Sequence, residues 1–217
     1  MRQAFSEQLD AVFDDLAAMA GDVRLAVSRG TQSLLEGDAV LAEAVISEDA
    51  EIDLLREKVE DRCFALLSLQ QPVAGDLRTL VAALRIVAEL ERMGDLAVHA
   101  AKIARLRIPS TAVPEPAVPL VRRMADVAEE MVARTAEVIE GRDAELAATL
   151  TTSEAEMDLL REQLFRDLLS TDWSHGVEAA VDLALLGRYY ERIGDHALSV
   201  ANRVVYVMTG RRDNIIN

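Results

Sequence analysis

The chain is predicted to be all-α, with two similar antiparallel three-helix bundles in tandem. Apolar residues recur at helical spacing along its length, no segment sustains the alternation of a strand, and blocks of the first half return in the second. The first periodic segment runs through Leu9, Phe13, Leu16, Met19, Val23, Ala26 and Val27 and stops at Gly37-Asp38. A second runs through Leu41, Val45, Ile52, Leu55, Val59 and Leu66 to the break Gln70-Gln71-Pro72-Val73-Ala74-Gly75-Asp76. A third helix opens near Gly75 or Asp76, so the first half reads as three helices of about 30 residues each. Pro109, Pro114, Pro116 and Pro119 then fall close together. Each ring removes a backbone donor and clashes with the preceding turn, which marks residues 107–119 as a linker. The expected division is a bundle at 1–106, the linker at 107–119 and a second bundle at 120–217.

The duplication is legible in the letters. Ala50-Glu51-Ile52-Asp53-Leu54-Leu55-Arg56-Glu57 returns 105 positions later as Ala155-Glu156-Met157-Asp158-Leu159-Leu160-Arg161-Glu162. Glu91-Arg92-Met93-Gly94-Asp95 returns 100 positions later as Glu191-Arg192-Ile193-Gly194-Asp195. Upstream, Asp38-Ala39 and Leu41-Ala42 recur as Asp143-Ala144 and Leu146-Ala147.

Composition excludes several classes of function. Asp and Glu outnumber Lys and Arg 38 to 23 for a net charge of −15, so no basic field exists to neutralise nucleic-acid phosphates. A single cysteine, Cys63, forbids a disulfide framework or a Cys-based zinc site and reads as a small buried hydrophobe. Apolar runs such as Leu80 to Leu84 and Ile86 to Ala88 are broken by charges well before the roughly 20 residues of a membrane span. Met1-Arg2-Gln3-Ala4 leads into a charged helix instead of an apolar signal core, which points to the cytoplasm.

The repeated blocks carry carboxylates four apart: Asp49 with Asp53, Glu91 with Asp95, Glu154 with Asp158, and Glu191 with Asp195. One helical turn places each pair on one face. Glu91 and Asp95 fall in line with Leu80, Leu84, Val87 and Val98, and Glu191 and Asp195 with Ala180, Ala184, Gly187, Leu198 and Val205, which predicts that they face the bundle. Asp49 and Asp53 sit on the shoulder of the second helix's stripe, placed to close over the same site. Carboxylates in apolar surroundings must be paired, protonated or metal-bound. Two schemes stay open: a hard cation such as iron, manganese, magnesium or zinc, or ion pairing with Arg78, Arg85, Arg92, Arg188 or Arg192. Neither half has the Glu-x-x-His ligands of di-iron bundles in these blocks. His99 answers to Ser199, His196 to Leu96, and His175 lies near Trp173; each reads as a surface or capping residue. Gly94 and Gly194 lie on helices, not in phosphate-cradling loops, and no catalytic constellation is present, so the chain is not expected to be an enzyme.

The two Glu-Arg-Met/Ile-Gly-Asp motifs, the lead-in Pro72-Val73-Ala74-Gly75-Asp76-Leu77-Arg78 and the duplicated three-helix plan resemble the PhoU family over essentially the whole chain. That resemblance implies a cytoplasmic protein, often a homodimer, that negatively regulates phosphate uptake and the phosphate-starvation response. It would act as an adaptor between the ATPase subunit of the phosphate ABC transporter and a phosphate sensor histidine kinase. The resemblance also implies a multinuclear iron, zinc or magnesium site at Asp49, Asp53, Glu91, Asp95, Glu154, Asp158, Glu191 and Asp195. One turn beyond the third-helix motifs, where the family commonly has an amide, this chain has His99 and Ser199. The alternative from another class is a carboxylate-bridged metal protein with oxidase or metal-storage activity.

Overall fold

The computed structural model describes residues 2–70, 72 and 74–211, so Gln71 and Val73 of the break between the second and third helices lie outside it. Its α-helices are α1 (Arg2–Glu36), α2 (Ala39–Gln70), α3 (Gly75–Arg107), α4 (Val118–Gly141), α5 (Ala144–Leu168) and α6 (Gly176–Thr209). No strand occurs among the described residues, and none of their helices is long and apolar enough to cross a membrane.

The first turn of each half is built by the same chemistry. Gly37 takes a positive φ of 67° after α1, and Asp38 Oδ1 then accepts from the backbone N–H groups of Val40 (2.9 Å) and Leu41 (3.0 Å), capping α2. In the second half Asp143 caps α5 through Glu145 (2.8 Å) and Leu146 (3.1 Å). There the left-handed position is held by Arg142, at φ 50°, where a side chain costs about 1 kcal/mol. Arg142 offsets that cost by bonding Asp10 at 2.6 Å and lying 4.6 Å over the Phe13 ring.

The linker is more compact than its prolines suggest. Ala112 and Val113 are buried, Glu115–Ala117 form a short 3-10 turn, and Pro119 sits in the first turn of α4, where its missing N–H has no intrahelical partner to lose. The fourth proline therefore starts a helix.

α1, α3, α6 and α4 form a square of packed helices, in which α1 lies beside α4 and α3 beside α6. α2 covers the α1/α3 side and α5 the α4/α6 side, so the two outer helices flank opposite faces of the square. Both halves share one continuous aliphatic core. Leu16, Met19, Leu80, Leu90 and Met93 from the first half join Met124, Met131, Leu150, Leu186 and Ile193 from the second. Across the repeat boundary the helices run antiparallel. Asp10 meets Arg142 and Arg24 meets Glu129 between α1 and the α4 end of its partner repeat, while Arg107 meets Asp182 and Glu89 meets Arg203 between α3 and α6.

Candidate functional site

The first carboxylate group is assembled by the close approach of α2 to α3. Ile52, in the middle of the repeated octapeptide, is buried against Gly94; a Cβ at Gly94 would lie 3.1 Å from Ile52 Cδ1. A side chain there would push Ile52 back by a few tenths of an ångström, and the close contact sets Asp49 and Asp53 of α2 beside Glu91 and Asp95 of α3. Asp49 and Glu91 are half-buried, whereas Asp53 and Asp95 are exposed. The carboxylates thus line the rim of the α2/α3 seam, which corrects the expectation that Glu91 and Asp95 face the bundle. α3 touches α1, α2 and α6. Its buried stripe is therefore broad and centred on Ile86, Leu90, Met93, Ala97 and Ala101, and a line drawn through Leu84 follows its edge.

The electrostatics are those of unneutralised like charges. Burial raises the Asp49 carboxyl above its ordinary value, and Asp95 and Asp53 push it further, against weaker opposition from Lys102 and His99. Glu91 is raised by burial and by Asp95, with Arg56 opposing. Arg56 also lies 3.8 Å from Asp53. A cavity of about 300 Å³ opens beside Asp49, lined also by Asp22, Arg29, Glu48 and Ile52.

The second group is its counterpart on α5 and α6. Glu154 is raised by burial, then by Asp158 and Asp195; Asp195 is raised by burial and Glu191, with Arg188 opposing. The Glu191 side chain is 12% exposed, and it pairs with Arg161 at 3.4 Å and with Arg188. Of the two residues expected to face the bundle here, Glu191 is largely enclosed, whereas Asp195 is exposed and lies on the rim with Asp158. The glycines work differently in this half. Gly194 packs on Met131 of α4, and the approach of α5 to α6 falls to Gly187, where a Cβ would come 2.6 Å from Leu164 Cδ2.

Of the five arginines weighed from sequence, Arg188 pairs with a motif carboxylate. Arg92 reaches Glu89 at 3.8 Å, and Arg78 lies over the Tyr206 ring. The arginines at equivalent places in both clusters are Arg56 and Arg161, the seventh residues of the repeated octapeptides. Their recurrence was the signal that could have found them. Among the described residues no three or more His, Cys, Asp or Glu side chains are drawn together closely enough to hold a metal ion. What suits a cation is the chemistry of the donors: each seam offers four carboxylates from two helices, and burial raises the carboxyls of Asp49, Glu91, Glu154 and Asp195. In the first seam Arg56 and Arg92 act on Glu91 and Lys102 on Asp49, and in the second Glu191 is held by two arginines.

A third polar group, absent from the sequence analysis, lies between the repeats. Glu89, 7% exposed on α3, faces α6, where His196 Nδ1 lies 2.7 Å from its carboxylate, Arg203 donates at 2.7 Å and Ser199 Oγ donates at 3.1 Å. Burial opposes the charge on Glu89, but the hydrogen bonds and charges of His196 and Arg203 outweigh it and hold the carboxyl down at about 2. His196 is therefore an interior residue and not a surface one. Elsewhere between the repeats, buried Asp182 accepts from Arg107 at 2.5 and 3.0 Å, and Thr31 and Tyr190 share a buried hydrogen bond of 2.8 Å. By the 100-residue offset Glu89 corresponds to Tyr189 and Ser199 to His99, and these two stack with ring centroids 5.4 Å apart. The same pair of positions is thus an acid clasp on one side and a ring stack on the other. His175 is exposed at the start of α6, edge-on to Trp173 at 5.0 Å.

A duplicated three-helix unit, fused through one core and bearing a carboxylate seam on each outer helix pair, defines a tandem helical-bundle protein with paired acidic sites. The PhoU domain model matches residues 16–104 and again 121–204, and the chain belongs to the PhoU family. It is 46% identical to the phosphate-specific transport system accessory protein PhoU homolog 2 of Mycobacterium tuberculosis, over 97% of this chain and 99% of that protein. Against PhoU homolog 1 of Mycobacterium leprae the identity is 44%, over 97% and 95%. The fold matches the crystal structure of PhoU from Pseudomonas aeruginosa with a TM-score of 0.89 at 27% identity, covering 95% of this chain and all of that one.

Proposed function

We propose that this protein is a regulator of phosphate transport that restrains phosphate uptake and the starvation response when phosphate is plentiful. It acts without turnover, in the cytoplasm, by contact with the transporter's ATPase subunit and with a sensor histidine kinase. The observation that carries the reading is end-to-end similarity to proteins named as accessories of the phosphate-specific transport system, at 46% identity over 97% of the chain. The surface is suited to partner binding: a net charge of −15 steers basic patches toward it and makes association weaken with salt. The test is phosphate uptake and starvation-gene expression in a deletion strain on abundant phosphate. Both should rise, and both should return to normal when the gene is restored; unchanged values would overturn the reading.

The carboxylate seams add a cation to this picture. Asp49, Asp53, Glu91 and Asp95 would hold it in the first seam, and Glu154, Asp158, Glu191 and Asp195 in the second. Iron, zinc or magnesium suits such oxygen donors. The chemistry a bound ion supplies is charge neutralisation, which locks each outer helix onto its neighbour. Support comes from the mutual repulsion already described at Asp49, Glu91, Glu154 and Asp195.

A further inference from the structure

At the tip of the α5/α6 hairpin the two helices leave an apolar groove of about 420 Å³, lined by Phe165, Leu168, Leu169, Val177, Val181 and Ala184. Leu169 is 82% exposed, Val177 80% and Val181 51%, so the groove displays aliphatic surface that none of the described residues covers. It is also pre-shaped. Trp173, another of its lining residues, ties the connecting loop down by donating its indole N–H to the Gly176 carbonyl at 2.8 Å. The groove does not end blindly. Arg161 lies 5.8 Å over the Phe165 ring and reaches Glu191 at 3.4 Å, so the apolar lining runs directly into the second carboxylate seam. From Leu169 back to Asp158 is about 16 Å along the helix axis.

We infer that this groove is the docking site for an amphipathic helical segment of a partner protein. Its apolar residues sit between α5 and α6, and its Lys or Arg residues, two to three turns further along, meet the exposed rim carboxylates of the seam, Asp158 and Asp195, in place of a bound cation. The charge pattern selects this occupant. A second copy of the chain docking groove to groove would bring two acidic seams together, and an anionic lipid surface would be repelled by the same carboxylates. The equivalent tip of the first half also exposes Phe64, Leu77 and Val81, but the counterpart of Leu185, 41% exposed one turn beyond Val181, is Arg85, which interrupts the apolar strip there. The inference rests on the regulatory reading and specifies where the partner binds.

The test places the photo-crosslinking residue p-benzoylphenylalanine at Val177 and at Val181 in cells on abundant phosphate, and sequences the adduct. The expected adduct is one protein segment with helical apolar spacing and basic residues about ten positions from the linkage. A peptide of this same chain, a lipid adduct, a segment without basic residues, or a yield no higher than with the probe at exposed Val40 would each overturn it. As a second readout, the deletion strain is complemented with Val181→Glu, a change to a good helix former at a half-exposed site that leaves folding intact. Starvation-gene expression should stay at least fivefold above that with the unaltered gene. Full repression by Val181→Glu would refute the groove while leaving the regulatory reading standing. A deletion without any phosphate phenotype would refute that reading instead, with the crosslink still reporting on the groove.

Discussion

Replacing Glu89 with alanine removes the acid that joins α3 to His196, Ser199 and Arg203 of α6. Holding that carboxyl at about 2 instead of its ordinary 4.5 corresponds to about 3 kcal/mol of stability at neutral pH. Because Glu89 is 7% exposed, solvent screens little of this. The same change leaves Arg203 and His196 facing a buried void. For a chain of this size the expected loss is about 6 to 12 °C in Tm. Thermal unfolding followed by circular dichroism measures the Tm and urea unfolding the free energy, with Glu43→Ala as the control: the Arg105–Glu43 pair is 49% and 61% exposed, and its loss should cost under about 1 kcal/mol. The sign with pH follows from a depressed carboxyl. The stabilisation is complete above about 4.5 and disappears as pH falls toward about 2, so the gap between the native protein and Glu89→Ala should shrink by about 1 kcal/mol from pH 6 to pH 3.5. A gap below about 0.5 kcal/mol at pH 7, or one that does not change with pH, would refute the reasoning.

Asp49→Asn should raise the stability of the metal-free protein at pH 7 by a few tenths of a kcal/mol, roughly, because the carboxyl it removes is destabilised when charged. The same variant should lose whatever Tm gain manganese, zinc or magnesium gives the native protein in differential scanning fluorimetry; an undiminished gain would argue against the first seam. Gly30 and Gly21 should respond in opposite directions. A Cβ at Gly30 meets the Ala97 carbonyl oxygen at 3.0 Å, so Gly30→Val should cost about 1–3 kcal/mol in urea melts, whereas Gly21→Ala meets nothing within 4 Å and should gain up to about 1 kcal/mol. Cys63 is fully buried, with its thiol pushed up to about 11, so a colourimetric disulfide reagent at pH 8 should label it only as fast as the protein unfolds.

The helices and their duplication could be read from the sequence because they depend on local chemistry. The Gly37-Asp38 turn, the Asp143 cap and the octapeptide at Ala50 and Ala155 all act within a few residues of themselves. The grouping of Asp49, Asp53, Glu91 and Asp95 was equally accessible, since a four-residue spacing fixes the face. How far that face turns inward was not. α3 is enclosed by three neighbours, and the breadth of its buried stripe depends on contacts that its own periodicity does not encode. The inter-repeat clasp was harder still: Glu89 and His196 are 107 residues apart and share no motif. The available sign was departure from the repeat, Glu89 against Tyr189 and His196 against Leu96.

The single core shared by the two repeats bears on the history of the molecule. A half-length ancestor would have exposed the apolar faces that α1 and α3 now press against α4 and α6, and so required pairing with its own twin in the same antiparallel manner. In such a self-associated ancestor any change at the position of Glu89 would have occurred in both chains at once. Joining the genes freed the two copies to diverge, and the glutamate clasp beside a tyrosine–histidine stack records that divergence.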